Sequence, residues 1–74
     1  MEYDYSKLRG RIVEMCGTSI VFAEKVGMSK TTVSQKLNNK VAWSQDDICK
    51  SCDVLDIPLE RAGEFFLVKK LGKS

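Results

Sequence analysis

The chain has 74 residues, of which 43% are hydrophobic and 30% are charged, and its formal net charge is +2. This composition is typical of one small soluble globular domain and excludes an intrinsically disordered segment. No apolar stretch approaches the roughly 20 residues that span a bilayer, and residues 1–7 lack the basic-then-apolar pattern of a secretory signal. We therefore expect a single domain over residues 1–74, located in the cytoplasm and without membrane contact.

The N-terminal part of the chain predicts a short, loosely held arm over residues 1–4 and a first helix over residues 6–16. Ser6 is a suitable N-cap for this helix, and Asp4 is the alternative. Four side chains recur at helical spacing and are expected to point into the core: Leu8, Ile12, Met15 and Cys16. Three basic side chains on the remaining surface form either a solvated face or a phosphate contact: Lys7, Arg9 and Arg11.

Residues 18–40, with the sequence TSIVFAEKVGMSKTTVSQKLNNK, predict two short helices joined by a tight turn. Thr18 and Ser29 are each placed to cap the start of one helix with a hydroxyl group. Gly27 lies where the chain must reverse, because glycine adopts a left-handed backbone at little cost. Ala23 is small enough to let the two helices approach closely. An alanine, a glycine four residues later and an aliphatic residue six further on form the pattern of a helix-turn-helix motif.

The charges of the chain are divided unevenly. Residues 25–45 contain four lysines and no acidic residue, whereas residues 46–64 contain six acidic and two basic residues. Such a division orients a protein on a polyanion, and a basic surface on this motif predicts DNA binding. Ile20 and Val21 follow the first cap where such motifs normally keep polar residues. They either cover the end of the first helix or form a small apolar patch.

The second half of the chain predicts two further helices. A polar turn over residues 38–40 leads to a connection under which Trp43 is expected to pack. Ser44 and Asp47 have the spacing of a capping box at the start of a fourth helix. The apolar positions of this helix recur at helical spacing: Ile48, Cys52 and Leu55. A proline then ends it, and a fifth helix is expected over residues 59–65.

Residues 66–74 form a tail whose central part is apolar and has a high β-propensity. This tail either extends the fifth helix, lies extended across the domain, or pairs with a second copy of the chain as an edge strand. An apolar segment on so small a domain is a candidate for self-association. We therefore expect a homodimer that uses residues 64–71.

Three cysteines and no histidine are present. Cys49 and Cys52 have the spacing of some metal and redox sites, but they fall inside a predicted helix. Zinc needs four ligands, and only Cys16 remains as a further thiol. Because Cys16 and Cys52 both fit apolar helical positions, the sequence predicts buried free thiols and no metal.

Three segments resemble the phage lambda repressor and Cro class of helix-turn-helix regulators, and in particular a group of small phage-encoded regulators within it. These segments are KLRGRI at residues 7–12, FA-x3-GMS at residues 22–29 and LNNK at residues 37–40. The resemblance implies an all-α fold, a compact bundle of five helices with or without an extended C-terminal tail. It also implies binding of operator DNA as a two-fold dimer in a bacterial cell or a phage-infected or lysogenic bacterium. The second helix of the motif, about residues 29–38, would enter the major groove.

The same resemblance places four side chains at the base-reading positions of that helix: Lys30, Thr31, Ser34 and Gln35. Their chemistry suits this role, since Lys30 can donate to guanine and Gln35 can form two hydrogen bonds with adenine. Six further residues are implied contacts to the DNA backbone: Ser19, Ser29, Thr32, Asn38, Asn39 and Lys40. Ser19 stands where the class often has a longer glutamine. Lys36 stands where the class is often apolar, which predicts a slight rotation of this helix against its neighbours.

The leading hypothesis is a sequence-specific transcriptional regulator of the repressor or Cro type, whose partner is double-stranded operator DNA. The alternative is a helical protein-interaction module, such as an antirepressor or an antitoxin, that docks through its acidic half and residues 65–71. Bulky or acidic residues at the base-reading positions would favour that alternative, and the chain has none there. With no histidine, no metal cluster and no phosphate-cradling glycine loop, we expect no enzyme activity, no cofactor and no small-molecule substrate.

Overall fold

The computed structural model describes residues 2–70 of the chain. This part forms α1 (Ser6–Cys16), α2 (Ser19–Val26), α3 (Lys30–Leu37), α4 (Gln45–Leu55), a 3-10 helix (Leu59–Arg61) and α5 (Gly63–Phe66). No β-strand is present between residues 2 and 70, where one isolated antiparallel bridge pairs Tyr3 with Lys69. The all-α, five-helix fold class predicted from the sequence is therefore confirmed. None of the helices in this range is long and apolar enough to cross a membrane.

Three helices begin at the hydroxyl caps that the sequence predicts. Thr18 Oγ1 accepts the backbone N–H three residues further on at 3.2 Å, at the start of α2. Ser29 Oγ accepts the corresponding N–H at 3.0 Å, at the start of α3. Ser44 and Asp47 form a capping box at α4, with N···O distances of 3.1 and 3.0 Å. Each such cap contributes about 1 kcal/mol of helix stability, because it satisfies an N–H that has no partner within the helix.

The turn between α2 and α3 depends on Gly27, whose backbone is left-handed with φ +76°. The next N–H, that of Met28, donates to the carbonyl oxygen of Ala23 at 2.9 Å. This bond closes the last turn of α2 and directs the chain into α3. Ala23 is only 2% exposed, so its small side chain is enclosed as predicted.

The core is built around α2, which packs against α1, α3 and α4. The largest fully buried side chains come from all five helices: Phe22, Phe66, Leu8, Leu55, Val33, Cys52 and Ser51. Met15 was predicted to point inward, and this prediction is wrong, since the residue is 40% exposed. The last turn of α1 lies at the edge of the core, where Cys16 is also only half-buried.

The start of α1 is capped by Asp4 and not by Ser6. The Oδ1 atom of Asp4 accepts the backbone N–H of Ser6 at 2.9 Å and its hydroxyl at 2.6 Å. These hydrogen bonds hold the pKa of Asp4 below its usual value. Tyr5, at the N-cap position itself, contributes no side-chain hydrogen bond to the helix. Of the two caps that the sequence allows, the structure therefore has the carboxylate.

The two ends of the described chain pair with each other. The N–H of Asp4 donates to the carbonyl of Val68 at 2.6 Å, and the N–H of Lys70 donates to the carbonyl of Glu2 at 3.1 Å. We call residues 2–4 and 68–70 the terminal ribbon. The arm is thus held by hydrogen bonds, so the prediction of a loosely held arm is wrong for residues 2–4.

The C-terminal part of the chain is more finely divided than predicted. The expected helix over residues 59–65 consists of the 3-10 helix and the short α5, which together end at Phe66. Phe66 is buried and packs edge-on against Trp43, with ring centroids 5.1 Å apart. Of the three conformations considered for the tail, the second is present over residues 68–70, which lie extended against the arm. The tail prediction for residues 71–74 lies outside the described residues.

Candidate nucleic-acid interface

The predicted base-reading side chains share one exposed face of α3. Its opposite face is buried through Val33 and Leu37, which are 0% and 6% exposed. Residues four positions apart lie on the same side of a helix, so Lys30 is aligned with Ser34 and Thr31 with Gln35, in two adjacent rows. This spacing brings together four exposed side chains: Lys30, Thr31, Ser34 and Gln35. The fold therefore presents a cation, two hydroxyl groups and an amide to the solvent on one surface.

Most of the polar groups on this face have no partner within residues 2–70. No side-chain hydrogen bond or ion pair is formed there by Lys30, Thr31 or Gln35. The hydroxyl of Ser34 accepts a long hydrogen bond, 3.4 Å, from the amide of Asn38. Side chains in this state can bind a ligand without first breaking internal hydrogen bonds.

The predicted backbone-contact residues differ in how many hydrogen bonds their side chains form within the fold. Ser19, Ser29 and Lys40 are exposed, and the two serines lie at the N-terminal ends of α2 and α3. Helix N-termini carry unpaired N–H groups and a partial positive charge, which together favour a phosphate. Ser29 Oγ is also bonded to Thr32 Oγ1, at 2.8 Å. The end of α3 is more fully engaged, since Asn38 Oδ1 accepts from the guanidinium of Arg9 at 3.1 Å.

Asn39 holds the arm against the end of α3. Its backbone is left-handed, with φ +63°, as the predicted turn requires. Its Oδ1 accepts the N–H of Tyr3 at 2.8 Å, and its Nδ2 donates to the carbonyl of Tyr3 at 3.0 Å. The side chain thus binds the arm as a neighbouring strand would. Sequence reasoning missed this role, and contact of Asn39 with DNA stays a prediction.

Lys36 points inward and not to the solvent. It is 7% exposed, and its Nζ donates to the carbonyl of Ala42 at 2.9 Å and to Asp47 Oδ2 at 2.8 Å. The ammonium also lies 5.8 Å from the centroid of the Trp43 ring. Burial acts to raise the pKa of Asp47, but hydrogen bonds from Lys36 and Ser44 outweigh it and hold the pKa below its usual value.

This inward position changes the charge of the predicted interface. Of the four lysines in residues 25–45, Lys36 is neutralised by a carboxylate, so Lys25, Lys30 and Lys40 remain exposed. Lys36 was singled out because the resembling class is often apolar there. Its long methylene stem serves as the apolar group, and the ammonium reaches the capping box of α4.

The three basic residues of α1 stabilise neighbouring elements. Arg9 donates to the carbonyl of Leu37 at 3.1 Å, and Arg11 donates to the carbonyl of Leu55 at 2.8 Å. They therefore satisfy the free carbonyl groups at the ends of α3 and α4. Lys7 pairs with Glu64 at 2.9 Å, and hydrogen bonds from Arg61 and from Lys7 lower the pKa of that carboxyl to about 2. Their positions favour these internal contacts over the phosphate contact considered from the sequence.

The cysteines do not come together as a ligand set. All three are free thiols, with Cys52 buried, Cys16 half-buried and Cys49 exposed. Burial, with a smaller contribution from the neighbouring Cys49, raises the pKa of the Cys52 thiol. Within residues 2–70, no group of three His, Cys, Asp or Glu side chains is placed to hold a metal ion.

Comparison with known proteins identifies a family for this chain and a similar protein of known structure. A family model described as "Protein of unknown function (DUF739)" matches residues 1–69. The chain is similar to the modulator of repression (MOR) of the temperate bacteriophage TP901-1 from Lactococcus lactis, known from a solution structure. The two are 44% identical, the match covers 97% of each chain, and the TM-score is 0.81. No curated protein matches the chain.

Proposed function

The chain belongs to the family described as proteins of unknown function (DUF739), and we propose that it is a sequence-specific regulator that binds duplex operator DNA through α3. The observation that carries this proposal is the exposed polar face of α3, in a part of the chain that has no acidic residue from Lys25 to Gln45. The similar phage protein is named a modulator of repression, which supports a regulatory role in the control of phage genes.

In the proposed complex, α3 lies in the major groove, where each base pair has a distinct pattern of donors and acceptors. Lys30, at the start of the helix, donates to guanine O6 or N7. Gln35, one turn further, forms two hydrogen bonds with adenine. Thr31 and Ser34 lie between them and are short enough to let the helix backbone approach the bases. The sequence preference is therefore set by four side chains of one helix.

The surrounding residues hold the helix in register. Ser19 and Ser29 place two helix N-termini towards the phosphates, and Lys40 lies just beyond the end of α3. Thr32, Asn38 and Asn39 complete the proposed set. Such contacts add affinity for any duplex and carry no sequence information.

We further propose that the chain acts as a member of the lambda repressor and Cro class and binds as a homodimer. The tail was expected to form the dimer contact, but Phe65 and Phe66 are buried in the core, which leaves Leu67 and Val68 exposed. These two side chains would be the apolar part of a tail-mediated interface. The neighbouring lysines oppose direct strand pairing between copies, since charged edge residues repel each other.

The test is selection of bound sequences from a random pool of duplex DNA, followed by binding measurements across a salt series. We expect a palindromic consensus, and an affinity that falls with salt by about 0.9 logarithmic units per contacted phosphate. Binding that selects no sequence, or that does not respond to salt, would contradict the proposal.

A second candidate function is favoured by two observations. The similar protein's name describes an effect on repression, which a protein can exert by binding a repressor. In addition, Val13 and Ile20, at the end of α1 and the start of α2, are 62% and 48% exposed. In this alternative, an apolar surface that includes these residues docks on a repressor protein. It predicts that Val13→Ser alters the effect of the chain on a repressor bound to its operator, whereas Gln35→Ala has its effect on direct DNA binding.

A further inference from the structure

The terminal ribbon lies beside the C-terminal end of α3. Asn39, two residues beyond that helix, binds both backbone polar groups of Tyr3 at 2.8 and 3.0 Å. On its other side, Tyr3 is bridged to Lys69. The backbone of Lys69 is therefore one strand spacing, about 4.8 Å, beyond Tyr3. The C-terminal segment and the end of the proposed recognition helix are thus connected through a single residue.

A hollow on the surface connects the same elements. It is lined jointly by Lys40, Tyr3, Asn39 and Leu67, among others. Lys40 is a proposed backbone contact, and Leu67 is the residue directly before the C-terminal part of the ribbon. The ribbon and the turn after α3 therefore belong to one continuous surface.

The charge of this surface is only partly neutralised. Lys70 pairs with Glu2 at 3.2 Å. Lys69 is exposed and forms no ion pair within residues 2–70. Its ammonium is therefore available to an external anion. Arg9, which also lies near the end of α3, already donates its guanidinium hydrogen bonds to Leu37 and Asn38.

We infer that the terminal ribbon is a second DNA-contacting element, in which Lys69 binds a phosphate of the strand next to the groove that α3 enters. The inference rests on the proposed function. Lysine suits this contact, because it is a compact charge on a flexible stem and needs no fixed geometry to bind a phosphate. Asn39 has a second role as a positioning residue, since its two hydrogen bonds to Tyr3 hold the ribbon in place.

A phosphate is a better partner for this ribbon than a second copy of the chain. The ribbon is short and carries two adjacent lysines at its edge, a feature that opposes pairing with another ribbon of the same kind. The exposed Leu67 and Val68 are the features that would instead favour a protein partner.

The test measures duplex DNA binding of the full chain across a salt series, on the selected operator and on random DNA. Lys69→Gln should lower the salt slope by about 0.9 on both DNAs, the contribution of one phosphate. Its loss of affinity should therefore be about 3.5-fold larger at 50 mM than at 200 mM salt. Lys50→Gln is the matched control, because it makes the same charge change on the exposed side of α4, where Lys50 already pairs with Asp46.

Asn39→Gly tests the positioning role. Glycine keeps the left-handed backbone but removes both hydrogen bonds to Tyr3. In this background, Lys69→Gln should have a smaller effect on the salt slope than in the native chain, which a merely destabilising change would not produce. Circular dichroism of each variant establishes that the helices are retained.

Two results would overturn the inference. If Lys69→Gln binds DNA like the native chain while Lys40→Ala lowers the salt slope, the ribbon does not contact DNA and the proposed function stands. That result is expected if the ribbon faces a protein. If the native chain shows no salt-dependent binding to either DNA, the proposed function fails and the inference fails with it.

Discussion

Replacing Lys36 by methionine should destabilise the domain by about 2 kcal/mol. The lysine side chain is 9% exposed, and its partner Asp47 is 20% exposed. A hydrogen bond to a charged group contributes about 1.5–3 kcal/mol, and removal of one partner from a fully buried pair costs about 3–5 kcal/mol. Because Asp47 reaches water and keeps its hydrogen bonds with Ser44, we expect a loss of about 2 kcal/mol, within the range for one hydrogen bond to a charged group. Methionine retains most of the packing of the methylene stem.

The assay is thermal and urea denaturation followed by circular dichroism. A loss of about 2 kcal/mol corresponds to a decrease in Tm of about 8–16 °C for a domain of this size. The pKa of Asp47 is lower in the folded state than its unfolded value of 3.8. The carboxylate therefore stabilises the fold fully above pH 3.8, and this stabilisation is lost as the pH falls through the pKa of the folded state. The difference between native chain and variant should therefore shrink below about pH 4.

Lys50→Met is the matched control for this prediction. Lys50 and Asp46 form an i,i+4 pair whose side chains are 57% and 77% exposed. Exposed pairs of this kind contribute about 0.3–0.5 kcal/mol. Equal destabilisation by the two substitutions, or no effect of Lys36→Met, would refute the argument that burial determines the strength of the Lys36–Asp47 pair.

Three further predictions concern function and backbone. Gln35→Ala should weaken binding to the selected operator by about 1–3 kcal/mol and leave binding to random DNA nearly unchanged. Lys40→Ala should weaken binding to both DNAs by similar factors. An equal loss of affinity for every sequence in Gln35→Ala would contradict the base-reading role of this residue. Gly27→Ala should lower the free energy of unfolding, measured by urea denaturation, by about 1 kcal/mol, because a φ of +76° disfavours a residue with a Cβ atom. Gly10→Ala should raise the same free energy by about 0.5–1 kcal/mol, because the added methyl group meets no atom within 4 Å. Replacing both cysteines of α4, the exposed one by serine and the buried one by alanine, should leave DNA binding unchanged, and stoichiometric zinc in the purified native protein would contradict our interpretation of these thiols.

Features fixed by neighbouring residues were predictable from the sequence. The caps at Thr18, Ser29 and Ser44 are satisfied by N–H groups three residues away, so their signal is local. The reversal at Gly27 needs one left-handed residue, and glycine indicates it. The exposed face of α3 follows from the period of the helix once Val33 and the apolar residue four positions later are assigned to the core.

Features fixed by distant residues were not predictable in the same way. Lys36 was read as part of a basic surface, because its partner Asp47 lies on another helix and no local pattern connects them. The bond from Asn39 to Tyr3 joins positions 36 residues apart. Met15 fits the helical spacing of buried positions, yet the core ends before it. For Lys36 and Met15, periodicity identifies the side of a helix, but only the packing of the whole domain shows what covers that side.

The backbone hydrogen bond from Lys70 to Glu2 brings together the two ends of the part of the chain that the structure describes. A short linker could therefore join residues 2 and 70 directly, with new ends opened at the exposed Pro58 between α4 and the 3-10 helix. Such a circular permutant should keep the helical content of the native chain, as measured by circular dichroism.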